Sequence, residues 1–300
     1  ADDTLKIGNF LDVTNWDPSL ADIGFDGPYL SAIYDPLLAI DKDGNPVPAL
    51  AKDWKVSSDG KTITMDLQSG VKFSDGESFD AAAAVKSLEY LKKGATSQEA
   101  YLRVDSFEAT GADSIAIHLK QRDDTILYLM ALGRSYMMAP KAIDAGTLSK
   151  TPVGSGPYTL DKKSVSGSHY YFDKVKDYWD AKAFPFSSVE ILPIGDGTAM
   201  ENAMQSGQVN VIYADAANIP QAKQQGWNVA QEVATAVGLQ YTDRLGTKLK
   251  ALGDQRVREA MQMAFDGAQI LKTIGEGAGV DTNQVWAADH PGYLASLNGM

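Results

Sequence analysis

The sequence predicts a mixed α/β fold. Three observations carry this: short alternating apolar segments bounded by turn dipeptides, helical apolar stripes among them, and a strand–helix–strand run past the middle of the chain. A chain of 300 residues with 44% hydrophobic and 22% charged content has an ordinary globular composition. Chains of this size bury roughly three quarters of their unfolded surface, in one large core or two smaller ones.

In order along the chain, Leu5-Lys6-Ile7 alternates and breaks at Gly8, which reads as a short strand. Ile63, Met65 and Leu67 alternate after the turn Asp59-Gly60, and Ile115, Ile117 and Leu119 do so after Gly111–Ser114. Between them lies a helix that Asp80 can cap, with Val85, Leu88 and Leu91 as its stripe and Gly94 as its end. The breaker-rich run Val153-Gly154-Ser155-Gly156-Pro157-Tyr158 marks a boundary or a tight crossing. Val189–Leu192 reads as a strand, Thr198-Ala199-Met200-Glu201 as a capping box, and Val209–Tyr213 as a buried strand. Together they suggest a βαβ unit in a mostly parallel sheet. After Asp254, Val257, Met261, Ala264 and Phe265 share one helical face, and Ile270, Leu271 and Ile274 follow.

Charge and composition exclude several classes. With 27 Lys+Arg against 39 Asp+Glu the net charge is −12, which repels a phosphate backbone, so nucleic acid is not an expected partner. Residues 1–60 hold eleven Asp and four Lys, a net −7 that reads as a solvated acidic face. Apolar runs such as Ile126–Leu132 are too short to cross a bilayer. Cysteine is absent, which removes disulfides, thiolate metal sites and a thiol nucleophile, and suits an exported protein. The start at Ala1 reads as a processed mature end or a cut edge.

Motifs for chemistry are weak. His118, His169 and His290 lack zinc-ligand spacing. Asp41, Asp43 and Asn45 begin like a calcium loop, but Pro46 and Lys52 stand where Gly and Glu are needed, so a polar turn is expected. Gly275-Glu276-Gly277-Ala278-Gly279 follows a helix and reads as helix-ending glycines rather than a dinucleotide loop. Gly154-Ser155-Gly156 lacks the outer glycine of a nucleophile elbow, and Pro157 forbids the helix that must follow. No catalytic residue, metal site or cofactor is expected. Aromatic residues in loops do stand out: Trp16 within Asn15-Trp16-Asp17-Pro18, then Trp54, Tyr136, Tyr178-Trp179, Tyr241 and Trp286. Such rings suit a small-ligand cleft and equally suit core packing.

Several runs are together more specific. They are Tyr34-Asp35-Pro36-Leu37-Leu38-Ala39-Ile40-Asp41, Pro48-Ala49-Leu50-Ala51-Lys52-Asp53-Trp54, Ser58-Asp59-Gly60-Lys61-Thr62 and Gly70-Val71-Lys72-Phe73-Ser74-Asp75-Gly76-Glu77. Further on come Gly154–Tyr158, Tyr178-Trp179, Ala203–Asn210 and Asp254–Met261. In this order they resemble the family 5 extracellular solute-binding proteins, receptors of ABC importers for oligopeptides, dipeptides and nickel. Departures are Ala84 for the usual Asp, Asn210 for an acidic residue, and Tyr241-Thr242-Asp243 where Asn follows the Tyr.

The resemblance implies a two-lobed, type II periplasmic-binding-protein-like α/β fold with an extra inserted subdomain and an incomplete second lobe. It assigns 1–42 and 154–236 to lobe I, 43–153 to the insert and 237–300 to the start of lobe II, with a hinge near Glu232–Gly238. Closure about such a hinge would bury the solute. It implies a monomeric receptor that takes a small solute, a peptide first, and delivers it to the membrane subunits of an ABC importer. A sugar, opine or metal chelate is the alternative solute. It also implies a periplasmic or cell-surface location, with a lipid anchor through a cysteine upstream of Ala1 as one form. Two other classes stay open: a hydrolase of the same compartment, which would turn substrate over, and a chaperone-like surface protein, which would show no saturable binding.

Expected solute contacts are Asn15, Trp16 and Asp17 beyond the first strand, Asp215 and Asn218 beyond the strand at 209–213, Arg134 and Tyr136 by family position, and Tyr241 and Trp286 as loop aromatics. Family members continue past the point matching Met300, and the anchors for a peptide's charged ends lie largely there. The expected result is that residues 1–300 alone bind solute far more weakly than a full-length chain. Calorimetric titration of both checks this; equal affinities would place the whole site within these 300 residues.

Overall fold

The computed structural model describes residues 3–213, 218–230, 238–273, 279–282, 284–285, 288 and 293–297. In chain order the strands are β1 (Thr4–Asn9), β2 (Leu38–Ile40), β3 (Pro46–Pro48), β4 (Ala51–Val56), β5 (Thr62–Leu67), β6 (Val104–Gly111), β7 (Ser114–Leu119), β8 (Tyr158–Leu160), β9 (Tyr170–Lys174), β10 (Ser188–Pro193) and β11 (Val211–Ile212). The helices are α1 (Ile23–Ile33), α2 (Ala81–Lys92), α3 (Ile126–Leu129), α4 (Pro140–Ala145), α5 (Gly197–Gln205), α6 (Ile219–Gln224), α7 (Gln255–Met263) and α8 (Gly267–Thr273).

The chain divides into two compact units, Ala1–Tyr213 and Ala214–Met300. In the first, a five-stranded sheet runs β11-β1-β10-β9-β8 and a four-stranded one runs β4-β5-β7-β6. β1 pairs parallel with both β10 and β11, while β9 is antiparallel to β10 and β8. The sheet is therefore mixed, not mostly parallel, and β10–α5–β11 steps over β1. β11 is also not the buried strand that Val209–Tyr213 suggested: among the described residues it is an edge, with Val211 45% exposed.

The local signals explain most elements. Asp80 caps α2 by accepting the Ala83 amide at 2.9 Å, and Leu88 and Leu91 bury its stripe. The β4–β5 hairpin turns at Gly60, whose φ of +68° favours glycine. The cap of α5 is Asp196, accepting from the Ala199 amide at 2.8 Å, rather than Thr198; the helix starts earlier than the capping box indicated. Gly8 does not end β1. It lies inside the strand, where a Cβ would overlap the Met200 sulfur of α5. Asp41 makes the expected polar turn, accepting the amides of Asp43 and Asn45 at 2.9 and 2.8 Å.

One continuous apolar core joins the five-stranded and the four-stranded sheet of this unit. It runs from Tyr29 and Leu30 through Leu88 and Ile117 to Phe172 and Ile191. At its centre three sequence runs meet on the buried Asp35. Tyr178 Oη donates to one carboxylate oxygen at 2.6 Å, Trp179 Nε1 to the other at 3.0 Å, and the Asp35 amide donates to Ser155 Oγ at 3.3 Å. The breaker-rich run is a crossing over the end of α1. The Gly156 amide donates to the Ile33 carbonyl at 2.8 Å, and a Cβ on Gly154 or Gly156 would overlap that peptide.

In the second unit, Asp254 caps α7 through the Arg256 amide at 2.9 Å. Asp243 accepts the Leu249 amide, the Thr247 hydroxyl and the Lys248 amide, which hold its carboxyl down at about 2. Met261, Phe265 and Ile270 are exposed. Ile274, Gly275–Ala278, His290 and the hinge segment at 232–237 lie outside the described residues.

Candidate functional site

The parallel strands β1, β10 and β11 end together, and the space beyond their carboxyl ends is the natural place for a ligand on an α/β sheet. After β1 comes a loop whose shape is fixed from within. Asp26 of α1, fully buried, accepts the Thr14 amide at 2.7 Å, the Thr14 hydroxyl at 2.5 Å and the Asp22 amide at 2.9 Å, so it ties both ends of the loop. Tyr170 Oη donates to Asp12 at 2.7 Å, and Tyr29 Oη and Asn9 Nδ2 both donate to the Leu11 carbonyl at 2.8 Å. Burial pushes the Tyr29 and Tyr170 hydroxyls up, so they remain donors.

Asn15, Trp16 and Asp17 lie on this loop and are engaged internally. Asn15 Oδ1 accepts the Asp17 amide at 2.9 Å. Trp16 stands edge-on to Tyr29, Tyr170 and Phe172, with centroids 5.4–6.2 Å away. Asp17 is buried and accepts from the Ser19 amide at 2.9 Å and from Tyr90 Oη at 2.6 Å.

Arg134 ends an irregular turn after α3. Gly133 has a φ of +83° there, and a Cβ on it would crowd the Tyr136 ring and the Ile23 side chain. Tyr101 Oη donates to the Arg134 carbonyl. Tyr136, two residues on, is buried with its ring 6.0 Å from that of Tyr34, and burial pushes its hydroxyl up. In the second unit, Asn218 precedes α6 and Tyr241 Oη donates to the Arg258 carbonyl at 3.3 Å. Asp215 and Trp286 lie outside the described residues.

Sequence reasoning missed three residues here. Phe10, Phe25 and Tyr213 are 37%, 44% and 61% exposed. The Phe10 ring lies 6.2 Å from Phe25, edge-on, and 4.9 Å from Tyr213, tilted by 33°. They form an exposed aromatic group at the carboxyl ends of β1 and β11. Asn210, where the family pattern carries an acid, accepts the Lys6 amide at 2.9 Å and donates to the Thr4 carbonyl at 3.2 Å. An amide can do both; a carboxylate could only accept.

A mixed sheet whose parallel strands end together, joined to a second, four-stranded sheet with its own helices, is the fold of the periplasmic binding proteins. The binding protein AgaA from A. tumefacien R10, solved with agropinic acid, superimposes with a TM-score of 0.82 at 25% identity, covering 98% of this chain and 60% of that one. The profile of the bacterial extracellular solute-binding proteins, family 5, matches residues 45–299, and the chain belongs to that family. Among relatives, the glutathione-binding protein GsiB of Escherichia coli O1:K1 / APEC is 26% identical over 276 residues, 88% of this chain and 52% of its own length. The nickel-binding periplasmic protein of Escherichia coli K12 is 32% identical over 199 residues, 63% of this chain and 37% of its own length. The chain thus spans about half, or less, of the length of these relatives.

Proposed function

We propose that this chain belongs to an extracytoplasmic receptor that captures a small solute and delivers it to the membrane subunits of an ABC importer. The observation that carries this is the family match across 45–299. We take the working unit to be a monomer, with 1–42 and 154–236 as one lobe, 43–153 as its insert and 237–300 opening the second. Asn15 and Arg134 are the proposed polar contacts of the first unit, beside Phe10, Phe25 and Tyr213. Trp16, Asp17 and Tyr136, on the same two segments, are proposed with them. Asp215 and Asn218, beyond β11, and Tyr241 and Trp286, further along the chain, are the remaining proposed contacts.

For the solute, a short peptide is the first proposal, supported by the glutathione-binding relative. A non-peptide solute is the second, supported by the nickel-binding relative and by the agropinic acid complex. Native mass spectrometry of a full-length chain purified from its own compartment tests the reading. A stoichiometric, exchangeable small molecule is expected. Turnover of a co-purified peptide would favour a hydrolase, and an empty chain that binds no member of a peptide, opine and chelate panel would refute the receptor.

A further inference from the structure

We infer that Asp35 is a proton-operated latch on the segment that carries Arg134 and Tyr136, so that the setting of this segment follows the surrounding pH. The latch does not depend on which solute is taken; its bearing on capture rests on the receptor reading. Asp35 is buried, and the groups that face it come from three segments. Tyr178, Trp179 and Asp180 belong to the run after β9, Ser155 to the crossing over α1, and Tyr136 to the stretch after α3. None of these is a cation. A buried carboxylate without a counter-ion is costly, and burial accordingly holds this carboxyl up at about 6.

The backbone of Asp35 is tied to the segment it would set. Its carbonyl accepts the Met137 amide at 2.9 Å, Pro36 bridges Tyr136 in antiparallel fashion, and the Leu37 amide donates to Ser135 Oγ at 2.9 Å. Residues 35–37 and 135–137 thus form a short ribbon. Met138 and Ala139 carry it onto the crossing, through a bridge to Gly154 and a 3.0 Å bond from the Ala139 amide to the Val153 carbonyl. Ionised, Asp35 only accepts, and Tyr178 Oη, Trp179 Nε1 and Ser155 Oγ can all donate to it. Protonated, it has an O–H to place, so one of the hydroxyl bonds must reverse. The reversal falls on Tyr178 or on Ser155, and Ser155 Oγ also accepts the Asp35 amide, at 3.3 Å. Burial and, after it, the Asp35 charge push the Tyr136 hydroxyl up, so that charge is felt at the ring the ribbon carries.

The test follows the full-length chain, 15N-labelled and stripped of solute, by NMR between about pH 4.5 and 8. The Trp179 indole Nε1–H signal, identified by its loss in Trp179→Phe, is expected to move in one step with a midpoint near 6. The amide signals of Tyr136 and Met137 should move with the same midpoint. In Asp35→Asn all three should stay still across that range. Tyr178→Phe removes a donor to the carboxylate and should raise the midpoint by about one pH unit, a change that a merely structural residue would not produce. That variant also decides the matter should Asp35→Asn fail to fold. An indole signal that is flat with pH, or that still moves in Asp35→Asn, would overturn the proton site. An indole that titrates while the Tyr136 and Met137 amides stay still would overturn the latch. Either result leaves the receptor standing. A chain that titrates as expected but captures no solute refutes the receptor and leaves the latch.

Discussion

Gly156→Ala is expected to destabilise the first unit by about 3–5 kcal/mol, the range of substitutions that force a backbone to move. The new methyl group would overlap the Ile33 peptide, which is backbone at the end of α1 and cannot swing aside as a side chain can. The same shift would break the 2.8 Å bond from the Gly156 amide to the Ile33 carbonyl and disturb Ser155, which supports Asp35. For a unit of this size that loss lowers the melting temperature by roughly 10 °C. Gly197→Ala is the control: nothing lies within 4 Å of its added Cβ, it stands in the first turn of α5, and it should be neutral or slightly stabilising. Thermal unfolding of the two variants side by side decides it, and melting within about 2 °C of each other would show that the crossing is looser than its contacts imply.

The second large effect is a pH dependence centred on Asp35. Burial raises its carboxyl from 3.8 to about 6, and the hydrogen bonds from Tyr178 and Trp179 only partly offset that burial. A carboxyl whose value is higher in the folded state binds its proton more tightly there. Its contribution to stability is then complete below about pH 4 and is lost as pH rises through about 6. The size is about 3 kcal/mol for a shift of roughly two pH units. Asparagine mimics the protonated form without titrating. The stability of Asp35→Asn relative to wild type should therefore improve by about 2–3 kcal/mol between roughly pH 4 and pH 7.5. Urea unfolding of both proteins across that range isolates Asp35 from other titrating groups, and a flat difference would refute the linkage. Asp35→Ala, which leaves Tyr178 Oη and Trp179 Nε1 without their acceptor, should cost about 3 kcal/mol or more at about pH 4, a cost that shrinks as pH rises through about 6.

These two sites also show what the sequence displays and what it hides. The hairpins at 62–67 and 114–119 and the helix capped by Asp80 were legible because each rests on residues within one turn or one alternation. Helix α1 was not: it carries Gly24, Gly27 and Pro28, and apolar residues surround it, so no periodic stripe marks it. The runs at 34–41, 154–158 and 178–179 were legible as a family pattern, yet their reason is the shared contact on Asp35, which joins residues 120 to 144 positions apart. Asn15, Trp16 and Asp17 were legible as following the first strand, while the contacts that link Trp16 and Asp17 to residues far along the chain were not. The exposed group of Phe10, Phe25 and Tyr213 left no local signal, because a phenylalanine in a sequence reads as core until the fold shows one side of it bare.

The position of β1 bears on how the chain assembles. Its partners are β10 and β11, so Thr4 must find Ser188 and Ile7 must find Val211. The four-stranded sheet needs no such reach, since β4–β5 and β6–β7 are hairpins that close over a few residues. Contacts across so much chain form late, because the entropy of closing the loop is lost before any pairing is gained. β1, made before its partners, is thus among the last strands of this unit to be enclosed. Until about two hundred further residues have been made, Leu5 and Ile7 remain available to whatever binds extended apolar chain.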